Sequence, residues 1–554
     1  MKTTIIRFLL LALSFSIISN TNVLSQALPK IIGDKATIKQ NYLPDYSFAG
    51  YHNGELQILN KDAHIILAID YGAIPNDGLD DSKALINAIE ATNDIKGNVV
   101  LQLPAGKLIL SDILYIKRSH FVLRGSGVGN AGTEIFCPRP MMYLDNPEQL
   151  KELREYLIEF DKREIQKNNN IDLPFSQYTW SGGMIWTQVP GERVKSYLRK
   201  YDQPSRVLAK VKQGNRGEHV MTVSNINGLK VGDIVQLELF NTEGEKGSMI
   251  QDLYKNSNVK IGSHHWEFPD MAIVKQQVEI TKITNNKITI NSPLTISIKP
   301  SYNAQLVEWK HLDEVGIEQL RITFPNAPRI AHHVEPGYNG IYLTRVFNSW
   351  VRDVVISNAD SGILSEEIAN VTIKDIVTEG TEMAHYTVAI SGSYNVLVKN
   401  LKVYNKAFHS LSFNTLSTKN VYQNCEVFNS PLLDQHSGAN HQNLFDNVKV
   451  HINPNEDNTY PLFTGGGASY WKPSHGAYST FWNLNVHVLN KQDSKKPIIL
   501  DGMKGDGPYA YIVGVNGNNT FKIDYGPHSY KENINESLDE VPSLYDYQLK
   551  KRME

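Results

Sequence analysis

Three side chains with acid–base chemistry recur at nearly regular intervals in the second half of this 554-residue chain: Tyr386, His409 and His436. They sit in the stretches HYTVAIS from residue 385, FHSLSFN from 408 and QHSGANHQN from 435, whose apolar positions align when the stretches are written one above another. On stacked strands, residues at one level lie roughly 4.8 Å apart. Histidine and tyrosine held that close can divide the work of removing one proton and delivering another. Strand alternation adds a condition: if Tyr386 and His409 follow Val388 and Leu411 into the core, His385 and Ser410 face outward in their place. Arg345 in NGIYLTR and Lys472 in WKPSHG are the cations that coil position brings nearest, suited to holding an anionic group. His333 and His475 join them as candidate substrate contacts, and His332, His264 and His265 as further candidates to line a groove. His441 has no such company and reads as structural.

Such a cluster needs a scaffold that repeats. One is present in RDVVI at 352, KDIVT at 374, KNLKV at 399, QNCEV at 423 and DNVKV at 446, with Asp353, Asp375, Asn400, Asn424 and Asn447 spaced by 22, 25, 24 and 23 residues. Looser copies stand at 318 (EQLRI) and 482 (WNLNV). Short β-rich runs broken by Asn, Asp, Ser and Gly fill each interval, and no helical period is long enough for a crossover. Units of this length made of strands and turns predict a parallel β-helix, with the repeated Asn or Asp stacking at a tight turn. The leucine density of a leucine-rich repeat is missing, and a propeller blade needs about twice the period.

The opening of the chain narrows this further. YGAIPNDGLDDSKALINAI from Tyr71 and LPAGKLIL from Leu103 resemble the opening motifs of the pectate lyase superfamily, whose members fold as right-handed parallel β-helices. The resemblance implies an all-β, right-handed parallel β-helix with an N-terminal capping helix. In that helix Asp80 or Asp81 is the cap and Ala84, Leu85, Ala88 and Ile89 form the apolar face. PSLYDYQLKKR near the end is similar to the closing segment of several secreted β-helix enzymes, which implies a cap over an open sheet end.

The predicted organisation is a signal peptide at 1–25, opening coils with a helical insertion at 63–200, a small inserted β-subdomain at 205–300, regular coils at 301–490 and a C-terminal cap at 491–554. The insertion contains NPEQLKELREYLIEFDKREIQ from Asn146, a charged amphipathic helix that reads as a solvated surface element. Lys2 and Arg7 before the apolar run Phe8 to Ile18 give the signal-peptide layout, which predicts a secreted or periplasmic protein with no membrane insertion once the signal is removed. Two cysteines, Cys137 and Cys425, in apolar contexts exclude a disulfide framework. A net charge of −3 and a pI of about 6.6 argue against a nucleic-acid partner.

The superfamily carries lyases, hydrolases and adhesins, so the reaction must come from the residues. Hydrolysis of a glycosidic bond asks for two carboxylates, for which Asp360, Glu366 and Asp434 are candidates. The polygalacturonase pattern of the same fold is met only in fragments, Asn358 and Asp360 in SNADSG and His475-Gly476 in SHGAYS. Its central Asp-Asp pair is absent, since the chain's only one is Asp80-Asp81. β-Elimination from a uronic acid asks instead for a base, an acid and a holder for the sugar carboxylate. His409, His436, Tyr386 and His385 are the candidates for the catalytic groups; Arg345, Lys472, His333 and His475 are the candidates for substrate binding. The expected partner is therefore an acidic carbohydrate, handled by a polysaccharide lyase or by an oligosaccharide dehydratase of the kind that acts on ulvan-type glycans. A hydrolase and a non-catalytic glycan-binding module are the alternatives. No zinc motif is present, and the adjacent pairs His332-His333 and His264-His265 would point to opposite sides of a strand, so no metal site is assigned. Calcium, used by some lyases of this fold, stays open as a cofactor, although Glu366 and Glu367 supply few oxygen ligands.

Overall fold

The computed structural model describes residues 28–58, 63–160, 175–195, 198, 205–255, 260–263, 265–490, 496–502 and 506–554. The expected signal peptide lies outside the described residues. Its body is a right-handed parallel β-helix. Its largest sheet has 18 strands, and successive coils pair in parallel. The register runs Ile317, Val351, Ile373, Val398, Tyr422, Phe445, Phe481 and Ile512, all buried, so one column of the core is built from one position of the repeat. Tyr422, Phe445 and Phe481 stack with rings 7° from parallel.

The repeated Asn or Asp explains why each coil turns where it does. Asp353, Asp375, Asn400, Asn424 and Asn447 all take left-handed backbone angles, with φ between 53° and 58°, and so do Gln319 and Asn483 in the looser copies. Short polar side chains tolerate this region best, which is why the motif keeps them. Their side chains also bond up the stack: Asn400 Nδ2 donates to Asp375 Oδ1 at 2.8 Å and Asn447 Nδ2 to Asn424 Oδ1 at 2.7 Å.

The opening helix, Ser82–Ala91, buries Leu85, Ala88 and Ile89, while Ala84 is half-buried. Asp80 accepts from Ser82 N at 2.9 Å. Asp81 instead ties the helix to the first coil by accepting from Ile74 N and Ile109 N. The charged helix, Lys151–Phe160, is no solvated surface element: it buries Leu153, Tyr156 and Leu157.

The inserted β-subdomain is a closed antiparallel barrel of six strands: Val207–Gly214, Val220–Val223, Ile234–Phe240, Ala272–Thr284, Lys287–Ile290 and Gln305–Glu308. The sixth lies past the expected end at 300. Gln276 donates to Tyr394 of the coils at 3.0 Å, and Tyr254 donates to Pro473 O at 2.8 Å, so the barrel is fastened to the β-helix. The C-terminal helix, Leu544–Met553, lies on the outer face of the large sheet and not over its end. Leu544 and Tyr545 pack with Leu397, Val421, Leu444 and Trp482, and Asp446 accepts from Ser543 Oγ, Leu544 N and Tyr545 N. Cys137 and Cys425 are buried and free. Among the described residues no helix is long and apolar enough to cross a membrane.

Candidate active site

A second parallel sheet carries most of the expected acid–base residues. Its strands are Leu114–Ile116, Ile185–Thr187, Asn339–Thr344, Ser361–Glu366, Ala384–Ile390, Ala407–Phe413 and Leu433–Gln435. Tyr386 pairs directly with His409, as the aligned repeats predict. The next pairing differs: Leu411 faces Leu433 and Phe413 faces Gln435, which puts His436 just past the end of its strand and off the level of His409. Its imidazole still reaches the cluster, with ring centroids 4.4 Å from His409 and 5.9 Å from Tyr386. Tyr386 stacks on His409 at 4.9 Å and on His385 at 4.4 Å.

These rings line a cavity of about 410 Å³, within the range of small-ligand sites. His385 and Tyr386 both face it, so simple alternation does not separate them. His332 and His333 complete the group from the loop ahead of Asn339. They do not point apart, because His333 sits at a left-handed turn (φ 69°) and not in a strand; their ring centroids are 3.7 Å apart. Much of the remaining wall is aromatic, with Tyr156, Phe175, Trp180, Tyr470 and Trp471, and Lys195 among them.

Two buried carboxylates stand behind the histidines. Asp434 Oδ2 lies 3.0 Å from His409 Nδ1 and 3.3 Å from His436 Nδ1, and accepts from Ser412 Oγ at 2.7 Å; its other oxygen accepts from Gly466 N at 2.9 Å. Glu335 Oε1 lies 3.3 Å from His385 Nδ1 and 3.7 Å from His332 Nδ1, and is bonded by Arg329. Burial opposes charge on both carboxyls, yet their histidine neighbours hold each well below the usual carboxylate range. Burial pushes the imidazoles the other way: His385 falls well below its ordinary value, His333 to about 3 and His436 to about 4. Burial raises the Tyr386 phenol well above 10, with the Asp434 charge adding to it. The phenol is therefore a proton carrier at neutral pH, and its oxygen accepts from Asn414 Nδ2 at 3.2 Å.

The remaining expected residues lie elsewhere. Arg345 is buried, with Nη2 2.8 Å from Glu367 Oε2, and does not line the cavity. Lys472 lies close behind it, but its ammonium donates to Gly466 O at 2.9 Å and Ser474 Oγ at 2.7 Å. His475 is sealed in the interior with Nδ1 2.6 Å from Tyr525 Oη. His265 is fully buried and stacks on Trp471 at 5.1 Å, bracing the wall; His264 lies outside the described residues. His441 is buried with Nδ1 3.2 Å from Ala439 O, away from the cluster. Sequence reasoning missed Glu335, Lys195 and the aromatic wall. WSGGMIW and SYWKP carried a signal in their tryptophans, but nothing in the repeat said that Trp180 and Trp471 meet at the cavity of the histidines.

No family model and no curated protein matches this sequence. Solved structures do match at low identity. The tailspike protein gp49 from Pseudomonas phage LKA1 is 11% identical over 85% of this chain and 81% of its own, with a TM-score of 0.44. DFA-IIIase from Arthrobacter chlorophenolicus A6, without its lid, is 12% identical over 87% and 98%, with a TM-score of 0.39. The A-module of the Azotobacter vinelandii mannuronan C-5 epimerase AlgE4 is 10% identical over 84% and 99%, with a TM-score of 0.35.

Proposed function

We propose that this protein is an exported lyase that performs β-elimination on a uronic-acid-containing oligosaccharide or polysaccharide. One observation carries the reading: the described residues lining the cavity include five histidines and Tyr386 but no Asp or Glu. Hydrolysis needs a carboxylate on each side of the bond. Asp434 is turned to its histidines, Asp360 accepts from Gly337 N and Tyr338 N, and Glu366 is paired with Lys195 at 3.2 Å.

Elimination uses what faces the cavity. His409, with Nδ1 against Asp434, keeps its other nitrogen to take the proton beside the sugar carboxylate; Asp434 then stabilises the imidazolium that forms. Tyr386, neutral and stacked on His409, delivers its proton to the leaving oxygen. Base and acid rise from one face of the sheet, which suits a syn departure of proton and leaving group. The aromatic wall offers apolar faces to sugar rings. The leaving group is a sugar in a lyase and water in a dehydratase.

Uronate oligosaccharides incubated with the full chain should gain the ultraviolet absorbance of a conjugated unsaturated uronate. Mass analysis then separates chain cleavage from simple loss of water. New reducing ends without that absorbance would overturn the reading in favour of hydrolysis, and binding without any product would reduce the site to a glycan-binding cavity.

A further inference from the structure

Among the described residues the cavity offers no free cation. Lys195 is the one Lys or Arg among its described lining residues, and Glu366 pairs with it; the Lys472 ammonium is spent on Gly466 and Ser474. Beside the acid–base pair, His332, His333 and His385 each present a nitrogen within 4.8 Å of the other two. We propose that these three histidines bind a divalent transition-metal ion of the zinc type.

Their surroundings are those of metal ligands. His332 and His385 both turn Nδ1 toward Glu335, which leaves Nε2 of each ring for the ion. A carboxylate behind a ligating imidazole is what fixes its tautomer and raises its basicity. Glu335 is itself held by Arg329 and by Thr179 Oγ1, the latter at 3.1 Å, so it is a stay and not a fourth ligand. His333 Nδ1 is buried with no hydrogen-bond partner among the described residues. His333 Nδ1 is therefore a polar nitrogen held out of water without a partner, a cost an ion removes. Three ligands with the fourth side open to a cavity is the arrangement of a zinc that meets substrate.

The donors also choose the ion. Imidazole suits zinc, copper, nickel and iron, whereas calcium takes six to eight oxygens, which this loop does not offer. The second cluster, His409, Asp434 and His436, is the weaker candidate because the Asp434 oxygens are taken by Ser412 and Gly466. In the trio the ion would stand where the carboxylate of a bound uronate needs positive charge, 5.4 Å between ring centroids from His385 to His409. That role rests on the elimination reading; metal binding does not.

The test uses the full chain stripped with a chelator and titrated with zinc chloride by calorimetry, with cobalt(II) absorption reporting nitrogen coordination. One equivalent is expected. Glu335→Gln should weaken it by roughly 10–100-fold, and His333→Ala or His385→Ala should weaken it more. His528→Ala, an exposed histidine elsewhere, should leave it unchanged. His333→Ala serves as the deciding variant if the buried His385→Ala fails to fold. No zinc binding by the wild type, or unchanged affinity in a natively melting His333→Ala, would overturn the site. Zinc bound normally without any unsaturated product would uphold the site and overturn the elimination reading. Undiminished product from the stripped protein would overturn the carboxylate-holding role alone.

Discussion

Gly466 is where the smallest change should do the most to the proposed chemistry. A Cβ added there would lie 2.0 Å from His436 Nδ1 and 2.8 Å from His409 Cε1. Ordinary contact is about 3.5 Å, so Gly466→Ala must displace the His436 ring by roughly 1.5 Å and the His409 ring by roughly 0.7 Å. Neither has room to yield freely, since each ring is backed by Asp434 and His409 also stacks on Tyr386. The residue has no positive φ, so alanine itself suits the backbone and the effect should come from the rings. Displacing a catalytic group by about 1 Å costs on the order of 100-fold in rate, about 2.7 kcal/mol. Initial rates of unsaturated-uronate formation, measured beside thermal melting, would read it. Gly129→Ala, which meets nothing within 4 Å, is the silent control. Gly466→Ala with wild-type rate and wild-type melting would refute the placement of His409 and His436 in the reaction.

Three further outcomes follow from single contacts. Tyr386→Phe removes the proposed acid and leaves Asn414 Nδ2 without its acceptor; kcat should fall by about 10²–10⁴-fold, with melting little changed. Asn424→Ala loses the bond from Asn447 and places a side chain without local hydrogen bonding at φ 54°, so chemical denaturation should show a loss of about 1–2 kcal/mol, while Asn424→Gly recovers the strain component. Burial pushes Asp446 from the ordinary 3.8 up to about 7. The folded chain then keeps a proton that the unfolded chain releases, so this contribution to stability is whole at low pH and is lost as pH rises from about 4 through 7. Melting followed across that interval should decline in the wild type and decline less in Asp446→Asn.

What could be read from the residues depended on whether a local requirement fixed them. Asn400, Asn424 and Asn447 were legible because each coil demands a left-handed residue at the same place, and the pairing of Tyr386 with His409 was legible because the apolar positions beside them, Val388 with Leu411 and Ile390 with Phe413, align. His436 slipped from the predicted level because its strand, Leu433–Gln435, is short and its apolar positions permit a second alignment. His332 and His333 were misjudged by assuming a strand where the chain makes a turn, and Arg345 because Glu367, at the matching position of the next coil, and Glu192, ahead of the barrel, neutralise it inside the protein. The carboxylates were the least visible part, yet they say most about purpose. Five imidazoles beside two buried carboxylates are costly to bury, and apolar side chains of similar size would stabilise the coil stack at least as well. The coils keep hydrophobic columns wherever packing alone decides, as from Ile317 to Ile512, and break that rule together at one cavity. A cluster that departs from the packing logic around it, with each carboxylate shared by two rings, is organised by what enters the cavity.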